Sequence, residues 1–203
     1  MPIHAGGEEM KAMRLPEPRL KGGLSVEEAI QKRRSVRNYL SKDLPLEDIS
    51  QLLWACQGVT DRKRALRASP SAGALYPLEI YLAKRDGLYH YIVDAHALDR
   101  VSDKDVRQAL ADAAFGQQFV AEAGIDIIVC AVYERITSKY GERGIRYTDM
   151  EAGHAAENVF LQAVALGLDS VAVGAFGDAV VAKVLGLPAG VKPLYILPVG
   201  YKK

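Results

Sequence analysis

The stretch IDIIVCAVYE, residues 125–134, constrains the fold more than any other part of the chain. It is a continuous β-rich run without the polar alternation of a half-exposed strand, so it reads as a strand buried on both faces. Such a strand needs a packed layer on each side. Its apolar part, IDIIVCAVY, is far too short to span a bilayer. At 203 residues, 49% of them apolar, the chain is long enough to bury one core of this kind.

Helix signals lie on either side of that run. LSVEEAIQKRR opens with a capping box from Ser25 to Glu28 and predicts a helix ending near Arg34. PLEDISQLLWACQGV has Pro45 in its first turn, Leu46, Ile49, Leu53 and Cys56 at helical spacing, and Gly58 as its stop. Ser102 and Asp105 suggest the cap of a helix through Val106, Leu110 and Ala114. DMEAGHAAENVFLQAVALGL predicts the longest helix, ending at Gly167. Its first half is crowded with Ala152, Gly153, Ala155 and Ala156, a surface that another helix or a flat ligand can approach closely. LEIYLAKRDGLYHYIVD reads as a hairpin turning at Asp86-Gly87. DSVAV and PLYILPVG read as further strands, separated by a short helix from Asp178 to Leu185. Irregular interleaving with an antiparallel hairpin favours an α+β fold over a doubly wound sheet. Residues 1–23 read as an arm lying over the surface and 24–203 as one domain.

Lys+Arg total 26 against 25 Asp+Glu, a net charge of +1, so no global field favours nucleic acid or anionic lipid. Cys56 and Cys130 are far apart in apolar stretches and read as reduced core residues of a cytoplasmic protein. His4, His90, His96 and His154 lack metal-site spacing, so no metal is expected. The N-terminal residues carry charges and prolines without the apolar stretch of a signal peptide.

Against that neutral background, KRRSVRNYL puts Lys32, Arg33, Arg34 and Arg37 within six positions, with a hydroxyl at Ser35. Guanidinium groups make bidentate bonds to phosphate, each worth about 1.5–3 kcal/mol. The same cluster also suits a solvated helix end that complements the helix dipole. The P-loop and the G-x-G-x-x-G fingerprint are absent, so a phosphorylated ligand would be a mononucleotide rather than a triphosphate or a Rossmann-bound dinucleotide. ASPSAGALYPLEIY adds a loop of small residues, Ser69 to Gly73, where backbone can come close to a planar ring; an ordinary turn explains it equally well.

Taken in order, RRSVRNY, LPLEDISQLLWACQG, SPSAGALYPLEIY, EAGHAAENVFLQAVALGL, VAVGAF and LPVGY resemble the nitroreductase superfamily, nearly end to end from about Leu15. The resemblance implies an α+β nitroreductase-like fold, with a mixed, mainly antiparallel central sheet flanked by helices, in an intertwined homodimer that binds FMN. It implies that Arg33, Ser35 and Arg37 hold the FMN phosphate, with Arg34 contributing mainly its backbone. Pro70, Ser71, Ala72 and Gly73 would line the isoalloxazine, and Val173, Gly174 and Ala175 would present backbone groups near its N5 edge. PSAGALYPLE and KYGERGIRY look closest to the SagB-type branch, the azoline dehydrogenases, in which a Lys-Tyr pair matching Lys139 and Tyr140 is associated with catalysis.

The implied activity is hydride transfer through FMN, with NAD(P)H as donor and a nitroaromatic or quinone as acceptor. Oxidation of peptide azolines to azoles is the alternative, and a flavin-binding module without turnover is a third. Two features depart from the family pattern. Relatives often continue into a tail that supplies a further cation, a part left here to Lys202 or Lys203. Glu157 stands where the branch often has Gln. Asn158 and His154, four apart on the long helix, suit either the flavin and subunit interface or a structural role.

Overall fold

The structure is a computed structural model that describes residues 12–203; His4 and the first eleven residues of the expected arm lie outside the described residues. From Ala12 the chain forms a short edge strand β1 (Met13–Arg14), then α1 (Val26–Lys32) and α2 (Leu46–Gln57). A small hairpin of β2 (Val59–Asp61) and β3 (Leu66–Arg67) follows, then a 3₁₀ turn at Ala72–Ala74. β4 (Leu78–Lys84), β5 (Gly87–Ile92) and β6 (Ala97–Ser102) form a meander, followed by α3 (Arg107–Ala113) and α4 (Phe119–Glu122). The second half comprises β7 (Ile125–Val132), α5 (Glu134–Tyr140), α6 (Arg143–Ala165), β8 (Asp169–Ser170), α7 (Asp178–Leu185) and β9 (Val191–Gly200).

Seven strands form one sheet in the order β1-β6-β5-β4-β7-β9-β8. Every strand pairing in it is antiparallel. The hairpin expected at Asp86-Gly87 pairs Lys84 with Gly87 and Tyr81 with His90. β7 lies between β4 and β9, and its side chains divide strictly by parity. Ile125, Ile127, Val129 and Ala131 join a core with Ile49, Leu52, Leu53 and Cys56 of α2 and Ala152, Ala155, Ala156, Val159 and Ala163 of α6. Ile128 and Cys130 face the other way, against Leu110, Ala111, Val181 and Leu185. Period-two alternation thus serves two helical layers at once, which explains the unbroken apolar run.

Polar groups enter these layers at a few points. Both cysteines are fully buried, one on each face, and desolvation pushes the Cys56 thiol up to about 12. Asp126 interrupts the β7 run; neither carboxyl oxygen has a partner, and burial raises its pKa well above the usual carboxylate range.

Some elements differ from the sequence reading. The long helix begins at Arg143 rather than near Asp149, because no breaker separates RGIRYT from the alanine-rich part. Ser102 caps a turn by accepting from the Lys104 N–H, and Asp105 binds the Arg107 backbone and guanidinium, so α3 starts after them. β6 and the β2–β3 hairpin carry too little alternation to stand out. Among the described residues no helix is long and apolar enough to cross a membrane.

Ile127 is fully buried in the central strand. Replacing it with Ala is expected to cost about 2–5 kcal/mol, read as a lower urea midpoint with unchanged slope.

Candidate functional site

The basic segment follows α1, whose capping box is formed as the spacing predicts. The Glu28 N–H donates to Ser25 Oγ at 3.2 Å and the Ser25 N–H to Glu28 Oε2 at 3.0 Å. The helix stops at Lys32, and Arg33 already has an extended ψ of 123°. Beyond it the chain is pinned through its inward side. Val36 is buried, its N–H donating to the Ser170 carbonyl at 3.1 Å. Tyr39 is fully buried, and its hydroxyl donates to the Val36 carbonyl at 2.6 Å. Leu40 N–H donates to Tyr201 O at 2.8 Å, and Lys203 N–H to Asn38 O at 3.1 Å. The C-terminal residues therefore flank the basic segment as a partner strand.

With Val36 and Tyr39 turned inward, Ser35 and Arg37 stay exposed and Arg33 is partly so. The Arg34 guanidinium folds back onto Gln31 O at 2.9 Å and Arg33 O at 2.6 Å, closing the end of its own helix. Arg37 lies over the Phe119 ring at 5.9 Å. Arg33 Nε sits 4.0 Å from Glu157 Oε1 on α6. Lys202 is exposed, whereas the Lys203 ammonium is 3.6 Å from Glu122 Oε2.

The second motif, Ser69 to Tyr76, is a left-handed turn held from behind. Gly73 has φ 63°, and Ala74 (52°) and Tyr76 (47°) share that region, in which a side chain costs about 1–2 kcal/mol. The clamps that hold it there are visible. Tyr76 N–H donates to Ser71 Oγ at 2.9 Å, and Tyr76 OH accepts from the Arg67 N–H at 3.1 Å. Arg135 donates to the Tyr76 carbonyl at 3.2 Å. Ser69 is fully buried and donates to Cys56 O at 2.8 Å, while accepting from Asn158 Nδ2 at 3.2 Å. Asn158 also donates to Ala55 O at 3.0 Å, so it ties α6 to α2 and the loop, while His154 is exposed.

Lys139 and Tyr140 are the last two residues of α5, which ends because Gly141 adopts φ 58°, ψ −147°. They meet the loop at Gly73. A Cβ built there would lie 2.8 Å from Tyr140 Oη and 3.1 Å from Lys139 Nζ. Tyr140 in turn packs edge-on against Tyr147 of α6, ring centroids 5.3 Å apart.

The third motif begins beside the basic segment, since Ser35 bridges Ser170. Val173 is buried and exchanges two 2.9 Å backbone bonds with Ile196, leaving Gly174 and Ala175 exposed. Gln117 Nε2 donates to the Ala175 carbonyl at 3.1 Å and steadies this turn.

Helix α6 joins these parts. Glu157 reaches Arg33, Asn158 holds Ser69, Tyr147 supports Tyr140, and Glu151 lies behind Ser71. A cleft of about 400 Å³ opens beside the loop, lined by Arg67, Leu75, Tyr76, Glu79, His90 and Arg135 among others. A larger one of about 580 Å³, at Trp54, Arg62 and His96, contains none of the residues expected to hold the cofactor or act in catalysis.

Residues 30–201 match the nitroreductase family. The chain belongs to that family. A protein of Methanocaldococcus jannaschii named as a nitroreductase is 46% identical over 185 residues, 88% of this chain and 92% of the relative. Among solved structures, a protein of Ralstonia eutropha JMP134 also named as a nitroreductase superposes with a TM-score of 0.87 at 28% identity, covering 100% of this chain and 95% of its own. A chain of the E. coli microcin synthetase McbBCD complex, solved with truncated pro-MccB17 bound, gives 0.73 at 26% identity, covering 93% and 79%. This nitroreductase-family chain is an oxidoreductase, and its antiparallel sheet between helical layers is the family's fold.

The reading from sequence missed Glu151 and its neighbour Gln57, both buried at this site. A signal was present. Glu151 shares a helical face with Thr148, Ala152 and Ala155, where a carboxylate is out of place.

Gly73→Ala tests the geometry of the loop. It is expected to cost about 1–2 kcal/mol from the left-handed backbone. It should also displace the Tyr140 hydroxyl, read as a changed Tyr140 ring resonance by NMR.

Proposed function

We propose that this oxidoreductase binds FMN and moves hydride from NAD(P)H to a small electron-poor acceptor, a nitroaromatic or a quinone. The observation that carries the reading is the extended 33–37 segment, with Arg33, Ser35 and Arg37 left accessible and the backbone beneath them pinned by Val36 and Tyr39. Guanidinium forks beside a hydroxyl suit a terminal phosphate, and the pinned backbone beneath them has little entropy left to lose on binding. The loop also fits a flavin: Gly73 has no Cβ, and the small residues Ser71 and Ala72 leave its outer edge open to a flat ring.

FMN, when bound, supplies the hydride chemistry at its ring. The chain's own residues do the rest. Arg33, Ser35 and Arg37 bind the phosphate, with the Arg34 backbone and Lys202 alongside; Lys203 contributes after leaving Glu122. Glu157 moderates the positive charge of Arg33. Pro70 to Gly73 orient the ring face; the backbone of Val173 is taken up by Ile196, so Gly174 and Ala175 offer the backbone groups at its edge. Donor and acceptor would use the same open face in turn, giving ping-pong kinetics.

A second reading, oxidation of peptide azolines, is supported by the approach of Lys139 and Tyr140 to Gly73 and by the similarity to a chain of a synthetase solved with its propeptide. Here the Lys139 amine would take the proton lost from the azoline ring and the Tyr140 phenol would donate or relay one, with the hydride going to the flavin. A homodimer is supported by exposed apolar side chains on adjoining helices, Val26 and Ile30 of α1 and Ile145 and Met150 of α6.

FMN titration followed by flavin fluorescence tests the first reading. Arg33→Ala and Arg37→Ala should each weaken binding by about 10- to 100-fold, the worth of one charge-assisted contact. Failure of the parent protein to bind FMN, or of bound flavin to be reduced by NADH or NADPH, would sink it. Lys139→Ala should leave that affinity unchanged while lowering azoline oxidation; equal azoline activity removes the proton-relay role. Sedimentation is expected to give the mass of two chains, and a one-chain mass rejects the dimer.

A further inference from the structure

Behind the Ser69–Tyr76 turn, α2 and α6 bury two polar side chains that the reading above does not use. Gln57, the last residue of α2, is 0% exposed and Glu151 is 1% exposed. Gln57 Nε2 donates to Glu151 Oε1 at 3.3 Å. The remaining oxygens of the two groups, Gln57 Oε1 and Glu151 Oε2, are both buried without a hydrogen-bond partner. Two orphaned acceptors in one bonded pair are costly and rare.

One proton removes both. A carboxyl and a carboxamide are planar groups of the same shape, each able to donate once and accept once to the other. With Glu151 ionised, both orphaned atoms are acceptors and repel. With Glu151 protonated at Oε2, that O–H donates to Gln57 Oε1 and closes a two-bond ring. The turn is coupled to this ring through Ser71, whose oxygen accepts from Tyr76 N–H and whose hydroxyl adjoins the Glu151 carboxyl.

We propose that Glu151 holds a proton in a carboxylic acid–carboxamide pair with Gln57, and is thereby a positioning residue for the Ser71–Gly73 turn that meets Lys139 and Tyr140. Losing the proton charges the pair, pulls the Ser71 hydroxyl and Arg67 toward the carboxylate and forces Gln57 Oε1 away. The inference rests on the oxidoreductase site only for its functional meaning.

The surroundings agree with this assignment. Desolvation raises the Glu151 pKa from 4.5 to about 7, against the opposing effects of Ser71, Gln57 and Arg67. Arg67 of β3 is the charge whose field reaches the carboxyl. α2 brings the neutral amide of Gln57 and the buried thiol of Cys56, and α5 brings Lys139 and Tyr140 across the turn at Gly73. α6 itself carries Tyr147 and Thr148 one turn before and exposed His154 one turn after, while β4 and β7 present Leu78, Ile80, Val129 and Ala131.

The test uses the full chain without added cofactor, so it stands apart from any failure to bind FMN. The infrared difference between the parent and Glu151→Gln should show a protonated carboxyl band at pH 6 that fades through about pH 7; any band from the buried Asp126 is common to both proteins and cancels. That variant keeps a neutral planar group that can donate to Gln57 Oε1 and accept from Gln57 Nε2. In ¹⁵N-labelled protein the Gly73 amide should shift with the same midpoint and stay still in Glu151→Gln. Stability provides a further readout, because folded Glu151 keeps a proton that the unfolded chain loses. The parent should lose stability as pH rises from 4.5 to about 7, by up to on the order of a hundredfold in the folding constant, relative to the variant. A parent-minus-variant difference spectrum without that band at pH 6 overturns the proposal. So does a Gly73 amide that titrates identically in both proteins.

Discussion

The close approach of α6 to α2 is the contact on which the rest of the structure depends. It is made by alanine. Ala152, Ala155, Ala156 and Ala163 are all at most 3% exposed, packed with Leu52, Leu53 and Cys56 of α2 over the odd-numbered side of β7. Helix separation follows the size of the contacting side chains. Only with small residues there can Asn158 reach the Ala55 carbonyl and Gln57 reach Glu151. Larger side chains would push the helices apart and break both bonds. The Ser69–Tyr76 turn would then lose its support, because its first residue hangs from Asn158 and Cys56.

The site is correspondingly stiff at its base and open at its face. Two left-handed residues, Ala74 and Tyr76, store strain, and Tyr76 is held by hydrogen bonds with Arg67, Arg135 and Ser71 rather than by burial. The basic segment is held in another way, by a fully buried tyrosine and by pairing with the C-terminal backbone. Its charges therefore stay in solvent while its backbone is fixed. Glu151 reverses that arrangement, with its charge-bearing group buried and its backbone on a helix already secured by packing.

Most elements were legible because each has a local cause. The Ser25–Glu28 box, the Asp86-Gly87 turn and the helix over Asp178–Leu185 depend on residues within a few positions of one another. The boundary of α6 was not, since the residues from Arg143 to Thr148 carry no periodic apolar face and become helical by continuing from a well-packed segment. Edge strands such as β1 escaped notice for a similar reason: Met13 and Arg14 are both exposed and pair only because β6 offers a free edge. At the site, the basic cluster and the small-residue loop could be read as separate motifs. Their relation to each other could not.

What the sequence by itself determined is therefore local: which segments bend, cap or alternate, and where basic, small and ionisable residues cluster along the chain. Only the tertiary structure decided that Arg33 lies by Glu157, that Lys139 and Tyr140 face Gly73, and that Glu151 and Gln57 share one buried pair. The physical reason is that these meetings join segments tens of residues apart. They are set by how closely helices settle on a sheet, a distance that depends on side-chain volumes summed across the whole core rather than on any one stretch of chain.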